Sequence, residues 1–336
     1  MTDEVILQVK NLKTYFYTDA GVVKAVDGIT FDLRKGEILG IVGESGSGKS
    51  VTNLSIINLV SFPGKIKNGE VLFHGQNLLT LPDKEIRSIR GNKISMIFQD
   101  PMTSLNPFLK ISTQMIETIQ LHQGLDKKSA KKKAIEMLKL AGIPGAEERI
   151  DCYPHQFSGG MRQRVMIAMG LSCNPEILIS DEPTSALDVT IQAQILDLMK
   201  DLTNRLGTAV IMITHSLGVV AGMCDTINVM YAGRTVERAA TRDLFKEPKH
   251  PYTQGLIASV PRLDRETEGK LYSIPGTPPN VIDLPPCCPF YPRCAKVIEP
   301  CKKAYPPLTE FENGHRCSCW LYAQKYAGEI NTEKNV

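Results

Sequence analysis

Apolar residues follow two alternating patterns up to about residue 240 of the chain. Short runs that are apolar at nearly every position alternate with longer segments whose apolar residues recur at helical spacing. The short runs are Ile38–Val42, Ile94–Phe98, Ile177–Ser180 and Ala209–Thr214. Such runs are typical of strands buried on both faces of a parallel sheet. Between the last two runs, apolar residues from Ile191 to Leu206 follow a helical period and Gly207 ends the segment. The pattern predicts an α/β fold with helices packed on a mainly parallel sheet.

Three other regions depart from this pattern. The first ninety residues contain runs that alternate apolar and polar positions between turn residues, which predicts an antiparallel β subdomain. Residues 102–165 are helix-rich and show no strand pattern. After Lys246 the chain contains most of its 21 prolines and six of its nine cysteines. We therefore expect a main domain over residues 1–245, with a helical subdomain at about 102–165, and a loop-rich C-terminal extension over 246–336.

Composition narrows the functional classes. A net charge of +3 over 336 residues is small and gives no indication of a nucleic-acid partner. The basic run Lys127–Lys133 lies beside an apolar stripe, which favours a solvated helix face over a site for an acidic partner. Met1–Val5 holds two acids and no apolar core, and no apolar run approaches the roughly 18 residues of a spanning helix. We expect a cytosolic chain that works at a membrane only by docking to a protein that spans it.

The segment from Gly43 to Ser50 reads Gly-Glu-Ser-Gly-Ser-Gly-Lys-Ser, and it follows a buried strand and opens a helix. This is the context that a phosphate-binding loop requires. Its backbone N–H groups would surround the phosphates, Lys49 would reach the β- and γ-phosphates, and Ser50 would bind Mg²⁺. A Gly/Ser-rich turn without a ligand is the alternative. The predicted nucleotide-binding residues here are Gly43, Glu44, Ser45, Gly46, Ser47, Gly48, Lys49, Ser50 and Val51.

Two acids end the predicted strand Ile177–Ser180. Asp181 is placed to hold the magnesium shell, and Glu182 is placed to polarise the attacking water as a general base. An Asp-Glu pair after a strand would by itself be equally consistent with a plain turn. Its occurrence after a phosphate-binding loop indicates a site for hydrolysis of a nucleoside triphosphate.

These motifs resemble those of ATP-binding cassette (ABC) ATPases over residues 1 to about 240. Phe157–Met161, which reads Phe-Ser-Gly-Gly-Met, is similar to that family's signature and precedes a predicted helix. Met161 stands where the commonest form has Gln, as in the variant of peptide and nickel import ATPases. The resemblance implies a P-loop NTPase with a RecA-like core, an antiparallel β subdomain and a helical subdomain. It also implies that Ser158, Gly159 and Gly160 contact the γ-phosphate of ATP on the opposite subunit.

The same resemblance gives roles to other residues. Gln99 resembles the Q-loop glutamine, which contacts Mg²⁺ and water, and His215 resembles the switch histidine, which contacts the γ-phosphate. Ser185–Asp188 matches the D-loop, which communicates across the dimer. As bare residues, Gln99 would be read as polar surface and His215 as a structural histidine.

An aromatic side chain that stacks on adenine is expected before the second strand. Phe16 is our choice by register, and Tyr15 and Tyr17 are its rivals. A role in core packing is equally consistent with all three residues. The sequence pattern leaves that alternative open.

The spacing and number of the motifs indicate which class of ABC ATPase the chain resembles. The stretch between Ser50 and Ser158 shows no sustained heptads, unlike chromosome-organising cassettes, and the chain carries one set of motifs, unlike translation-type cassettes. In the tail, His250–Pro261 and Ile274–Asn280 resemble the segment that follows the cassette in oligopeptide, dipeptide and nickel importer ATPases.

The resemblance implies an ATP-hydrolysing subunit of a dipeptide or oligopeptide importer at the cytoplasmic face of the cell membrane. Its partners would be integral membrane permease subunits, a second ATPase subunit that is identical or paralogous, and indirectly a solute-binding protein. A nickel or small-solute importer ATPase, and a soluble ATPase with a metal-sensing tail, are the alternatives.

The tail contains a cysteine cluster. Its members are Cys287, Cys288, Cys294, Cys301, Cys317 and Cys319. The Cys-x2-Cys pair of a zinc knuckle is missing, and four thiolates on longer loops suit an iron–sulfur cluster at least as well. The resembling importer ATPases often have four such cysteines and can hold a [4Fe–4S] cluster, a pattern that falls best on Cys288, Cys294, Cys301 and Cys319. Zinc, and free thiols or disulfides, remain the alternatives, and we favour a stabilising role over a redox role.

Overall fold

The structure is a computed structural model that describes residues 4–100, 104–184, 187–260, 272–282 and 284–323. The β-strands are β1 Val5–Thr18, β2 Gly21–Arg34, β3 Ile38–Val42, β4 Gly64–Phe73, β5 Gln76–Asn77, β6 Ile94–Ile97, β7 Ile177–Asp181, β8 Ala209–Ile213, β9 Thr226–Tyr231, β10 Arg234–Ala240, β11 Leu308–Glu310 and β12 Arg316–Ser318. The α-helices are α1 Lys49–Ile56, α2 Asp83–Ile89, α3 Ile111–Gln123, α4 Lys127–Leu140, α5 Ala146–Arg149, α6 Gly159–Leu171, α7 Val189–Leu206, α8 Leu217–Met223, α9 Thr241–Lys246, α10 Pro251–Ala258 and α11 Glu299–Lys303.

The chain divides into two compact units. The first consists of Met1–Leu7, Asp32–Ile38 and Phe73–Ile213, and the second consists of Gln8–Phe31, Leu39–Leu72 and Thr214–Val336. Among the described residues, no helix is long and apolar enough to cross a membrane.

The first unit contains three neighbouring parallel strands. Strand β7 pairs with β6 on one side and with β8 on the other. Every residue of β7 and β8 is buried, which explains why these runs are apolar at almost every position. The predicted parallel strands are therefore confirmed for this part of the chain.

The first unit also contains most of the helices. Helix α4 buries the apolar stripe that includes Ala130, Ala134 and Leu138, whereas Lys128 and Lys132 are exposed. The basic run is therefore a solvated helix face. Helix α7 ends where Gly207 takes the left-handed conformation (φ 68°), as the sequence predicts.

The second unit contains two groups of strands. In one group the strand order is β2-β1-β4, and in the other it is β11-β12-β10-β9-β3. Strand β3 pairs parallel with β9, while the pairs from β9 to β11 are antiparallel. The tail thus adds two strands beside β10 through the pairing of Glu237 with Cys317.

Strands β9 and β10 form a hairpin that the sequence analysis did not identify. Ala232 and Gly233 both have positive φ, as a two-residue type I′ turn requires. A Cβ atom at position 233 would lie 2.6 Å from the carbonyl oxygen of Lys24, so glycine also permits a close backbone approach there.

Candidate functional site

The phosphate-binding loop lies between β3 and α1 in the second unit. Glycine is required at two of its positions, because a Cβ atom on Gly43 would lie 2.2 Å from Met230 O and one on Gly48 would lie 2.1 Å from Ala25 O. Gly48 is the left-handed N-cap of α1, so the loop ends at the positive end of that helix. Ser45, Gly46 and Ser50 are exposed, Ser47 is buried and Val51 is half-buried. The predicted loop thus presents its middle residues to solvent over a packed base.

Lys49 is buried within this loop. Its Nζ donates hydrogen bonds of 2.8 Å to the carbonyl oxygens of Gly43 and Glu44. The Ser47 N–H donates to Glu44 O (3.2 Å), and the Gly233 N–H donates to Ser47 O (3.0 Å). The ammonium group is therefore held against the loop, where a phosphate bound to the loop would meet its charge.

The C-terminal part of the chain contacts the same loop, which the sequence analysis missed. The Glu44 N–H donates to the Tyr252 hydroxyl (2.8 Å), and the Glu44 carboxylate accepts two hydrogen bonds from Arg293 (2.6 and 2.9 Å). The Glu44 carboxylate raises the pKa of Arg293, and burial raises the pKa of Tyr252. The only sequence signal was that Tyr252 stands in the His-Pro-Tyr segment and Arg293 beside Cys294.

The three candidate aromatics differ in their surroundings. The Tyr15 hydroxyl donates to Asp27 (2.7 Å), and burial, followed by this hydrogen bond, raises the pKa of Tyr15 to about 12. Tyr17 is exposed, with Lys65 Nζ 6.0 Å from its ring centroid. Phe16 is half-buried, and its ring lies against the position of Gly64, where a Cβ atom would be 2.7 Å from the ring edge.

The catalytic candidates of the first unit lie at the ends of β6 and β7. Asp181 is the last residue of β7 and is buried. Glu182 has φ 46°, an uncommon value for a non-glycine residue, and its N–H donates to Ile213 O (2.9 Å). The Gln99 side chain donates from Nε2 to Glu182 Oε2 at 2.9 Å. The structure thus joins two residues that the sequence analysis predicted separately.

The signature residues open α6 in the first unit. Ser158 is the N-cap, and its Oγ accepts from the Met161 N–H (3.4 Å). Ser158 and Gly159 are exposed, whereas Phe157 is buried and accepts a hydrogen bond from Arg162 through its carbonyl oxygen (2.9 Å). The exposed helix start can bind an anion through its N–H groups.

The switch histidine His215 lies in the described part of the chain, whereas the D-loop lies only partly in it. His215 follows β8 and is exposed in the second unit, where the preceding Thr214 N–H donates to Ile41 O at 3.4 Å. Of the predicted D-loop, Ser185 and Ala186 lie outside the described residues.

None of the nine cysteines, all of which lie in the described residues, forms a disulfide bond. Burial raises the pKa of Cys288 to about 12, and the charges of Cys301, Cys319 and Cys294 add to that shift. Burial also raises the pKa of Cys319 to about 11, with contributions from Cys294 and Cys301. The four predicted ligands therefore lie near one another, and so does Cys317, since Cys319 and Cys288 contribute to its raised pKa. Among the described residues, no group of three or more His, Cys, Asp or Glu side chains has an arrangement that holds a metal ion.

Comparison with known proteins identifies the family. A family model described as ABC transporter matches residues 26–185, and one described as oligopeptide/dipeptide transporter, C-terminal region, matches residues 236–301. The chain is 52% identical to the oligopeptide transport ATP-binding protein OppD of Haemophilus influenzae, over 96% of this chain and 98% of that protein. The chain belongs to the ATP-binding proteins of oligopeptide and dipeptide ABC transporters. It is similarly 51% identical to the dipeptide transport ATP-binding protein DppD of Bacillus subtilis, over 96% of each chain.

Solved structures of ABC ATPases have a fold similar to that of this chain. A dimeric post-hydrolysis structure of the ATP-binding cassette MJ0796 bound to ADP and Pi matches with a TM-score of 0.63 and 29% identity. The match covers 70% of this chain and 99% of that cassette. The cbiO1 protein of Clostridium perfringens, part of the ABC transporter complex cbiONQ, matches with a TM-score of 0.61 and 28% identity over 73% of this chain and 92% of that one. The predicted fold class, a P-loop NTPase of the ABC type, is confirmed.

Proposed function

We propose that this chain binds and hydrolyses MgATP as one half of an ATPase dimer, and that this cycle drives uptake of dipeptides or oligopeptides through a membrane permease. The hydrogen bond between Gln99 and Glu182 is the observation that carries the catalytic part of the proposal. It holds a candidate general base at the end of a buried strand, beside the residue that the family resemblance assigns to magnesium and water. The names of the curated relatives support peptides as the cargo.

Each predicted residue has a chemical task in this proposal. The backbone N–H groups of residues 43–51 bind the phosphates, and Lys49 supplies a positive charge. Ser50 and Asp181, with Gln99, would hold Mg²⁺, which neutralises phosphate charge when bound. Glu182 accepts a proton from the attacking water, and His215 contacts the γ-phosphate.

The signature supports action as a dimer. Ser158, Gly159 and Gly160 begin a helix of 13 residues, and the first two are exposed. We assign them to the γ-phosphate of ATP bound by a second ATPase subunit, either an identical copy or a paralogue. The dimeric state of the structurally similar cassette bound to ADP and Pi supports this assignment.

Exposed apolar residues of the helical subdomain support docking to a permease. Phe108 precedes α3 with 86% of its surface exposed, and Leu121 within α3 is 76% exposed. Apolar side chains that stay exposed in one subdomain can be buried by a partner protein. We place the permease contact on the helical subdomain at about residues 102–165. The chain then works at the cytoplasmic face of the membrane, and a solute-binding protein delivers the peptide to the permease.

Phe16 is the proposed adenine-stacking residue. It lies on β1 and keeps an apolar half-buried ring, whereas the Tyr15 hydroxyl is bound to Asp27. An apolar ring face suits stacking on a base. Phe16→Ala should weaken ATP binding more than Tyr15→Ala or Tyr17→Ala.

We further propose domain limits of 1–245 for the ATPase and 246–336 for the C-terminal extension, with a [4Fe–4S] cluster on Cys288, Cys294, Cys301 and Cys319. The hydrogen bond from the Cys288 N–H to Cys301 O (3.0 Å) and the electrostatic interaction of these four thiols support the set, and Cys317 interacts in the same way with Cys288 and Cys319. Iron and acid-labile sulfide measured after anaerobic purification test this proposal, and stoichiometric zinc without iron would contradict it.

The first experiment is a pull-down of the chain from detergent-solubilised native membranes, with the partners identified by mass spectrometry. Recovery of a permease pair with a second cassette supports the importer. Uptake of radiolabelled dipeptides by cells that carry the wild-type chain or the Glu182→Gln variant then tests the cargo. Recovery without any membrane protein would favour a soluble ATPase instead.

A further inference from the structure

We infer that Tyr252 and Arg293 are positioning residues for the phosphate-binding loop, so that the C-terminal segment sets the affinity of the chain for ATP. This inference rests on the proposed ATP-binding function. It concerns two side chains that neither the motifs nor the comparisons assign to the nucleotide site.

Glu44 is the point at which the C-terminal segment holds the loop. Its N–H donates to the Tyr252 hydroxyl, its carbonyl oxygen accepts from Lys49, and its two carboxylate oxygens accept from Arg293. The polar groups of Glu44 are thus bound both by the loop itself, through Lys49, and by the C-terminal segment, through Tyr252 and Arg293. The residue after it, Ser45, is exposed. Glu44 therefore connects the exposed part of the loop to the buried side chains of Tyr252 and Arg293.

The Arg293 side chain is itself immobilised. It is only 5% exposed, and its Nε donates to Pro275 O at 2.9 Å. Its Nη1 also donates to the Tyr231 hydroxyl at 3.3 Å. A guanidinium with this many bonds presents its fork to Glu44 in one orientation, which makes the two-bond contact with the carboxylate specific.

The Tyr252 side chain is equally fixed. Tyr252 is buried, and its ring centroid lies 4.6 Å from that of Tyr231 and 5.4 Å from that of Phe290. Phe290 immediately precedes the turn Tyr291–Arg293, and Cys294 follows it. The aromatic contacts therefore join both positioning residues to the segment that carries the cysteines.

Two physical effects follow for ATP binding. A loop held in its binding conformation loses less entropy when the phosphates bind, and the apparent affinity falls in proportion to the population of the competent conformation. In addition, Arg293 neutralises a carboxylate that would otherwise stand in a loop built for phosphates. Removal of Arg293 leaves that negative charge uncompensated, and like charges repel strongly in a partly buried site.

Two variants distinguish a positioning role of Arg293 from a merely structural one. Arg293→Met removes the guanidinium and leaves the Glu44 carboxylate, whereas Glu44→Gln with Arg293→Met removes both charges. If Arg293 acts through Glu44, the second substitution restores much of the lost affinity. If Arg293 only supports the fold, the double variant binds ATP no better than the single one.

The experiment measures the Kd for a fluorescent ATP analogue, and KM and kcat for ATP, on the full-length chain. We expect Arg293→Met to raise the Kd about tenfold, or about 1.4 kcal/mol, with kcat at saturating ATP changed less than about twofold. Tyr252→Phe should raise the Kd about threefold, since it loses one hydrogen bond. The double variant should bind within about threefold of Glu44→Gln.

The control is Arg316→Met, which removes another arginine of the C-terminal segment, one that pairs with Glu310. It should leave the Kd unchanged. Arg293→Lys, which keeps the charge but not the fork, covers the case in which Arg293→Met does not fold. A wild-type Kd in folded Arg293→Met and Arg293→Lys, or no rescue in the double variant, overturns the inference. Absence of ATP binding by the wild-type chain would instead contradict the proposed function.

Discussion

The phosphate-binding loop and the catalytic end of β7 are held in different ways. In the second unit, Glu44 and Lys49 are bound through backbone and side-chain groups, and residues distant in the sequence contribute to that network. In the first unit, Glu182 combines a left-handed backbone conformation with a hydrogen bond from the exposed Gln99. Binding phosphate requires a loop of fixed shape, whereas a general base needs room for water and for proton transfer. With the roles proposed for Lys49 and Glu182, ATP affinity and turnover depend on different neighbouring residues and can be altered separately.

Glu182→Gln should show this separation most strongly. We expect turnover to fall about a thousandfold, because an amide cannot accept the proton of the attacking water. The Kd for ATP should stay within about threefold of wild type, because the phosphate-binding loop is unchanged. Steady-state hydrolysis and titration with a fluorescent ATP analogue measure the two quantities.

Glu176→Gln is the matched control for that variant. Glu176 is a half-exposed acid of the same unit, and it pairs with His74 and Lys93. Its substitution should change neither turnover nor affinity by more than about twofold, since exposed ion pairs contribute little. Wild-type hydrolysis by Glu182→Gln would show that another residue is the base.

The sequence predicted the parts of the site that depend on local spacing. The loop, the acids after β7 and the signature each occupy consecutive residues, and each follows or precedes a strand or helix that the apolar pattern indicates. The contact between Glu44 and Arg293 joins residues that are far apart in the chain, and no local pattern encodes such a pair. The hairpin of β9 and β10 was missed for a related reason, since its turn is Ala-Gly rather than the common Asn-Gly.

The C-terminal segment that holds the phosphate-binding loop is itself anchored by Glu237, a fully buried acid of β10. Its carboxylate accepts hydrogen bonds from the backbone N–H groups of Lys249 (2.6 Å) and His250 (2.9 Å), and it pairs with His315 (2.6 Å). In Glu237→Gln, the amide N–H group faces the hydrogen-bond donors of Lys249, His250 and His315, and it cannot accept a hydrogen bond from them. We expect it to destabilise the C-terminal segment by about 3 kcal/mol.

Fluorescence of Trp320, the one tryptophan of the chain, is the measurement for Glu237→Gln. Its indole N–H donates to Ala304 O at 2.9 Å, so denaturant unfolding followed by its emission reports on the C-terminal segment. Glu247→Gln, an exposed acid that pairs with Lys249, is the control and should leave the midpoint unchanged. Equal midpoints for both variants would show that Glu237 does not anchor the segment.

The same segment should lose stability as the pH falls. Burial lowers the pKa of His250 from 6.5 to about 4, with an opposing contribution from Glu237. The unfolded chain therefore binds a proton at a higher pH than the folded chain does, and stability decreases between pH 6.5 and 4. We expect a loss of about 2 kcal/mol from this residue between pH 7.5 and pH 5.

His250→Asn tests this pH dependence. In the wild-type chain, His250 Nδ1 accepts a hydrogen bond from the Tyr252 N–H at 3.0 Å, a task that an asparagine Oδ1 can take over without titrating. The variant should therefore be less sensitive to pH when its unfolding is followed by Trp320 fluorescence. An unchanged pH dependence would assign the effect to another group.

Gln99→Ala should have the smallest effect, and it tests how Glu182 is held at the end of β7. The Gln99 amide orients the Glu182 carboxylate, but the left-handed backbone at position 182 and the bond from its N–H to Ile213 O remain. We expect kcat to fall about tenfold, because the Glu182 carboxylate loses its orienting hydrogen bond. The KM for ATP should rise by no more than about twofold, because Ser50 and Asp181 remain to hold Mg²⁺. Gln123→Ala, which removes an amide that accepts a hydrogen bond from Lys133, is the control and should match wild type. A rise in KM at constant kcat would place Gln99 with the binding groups and remove the distinction between the two regions.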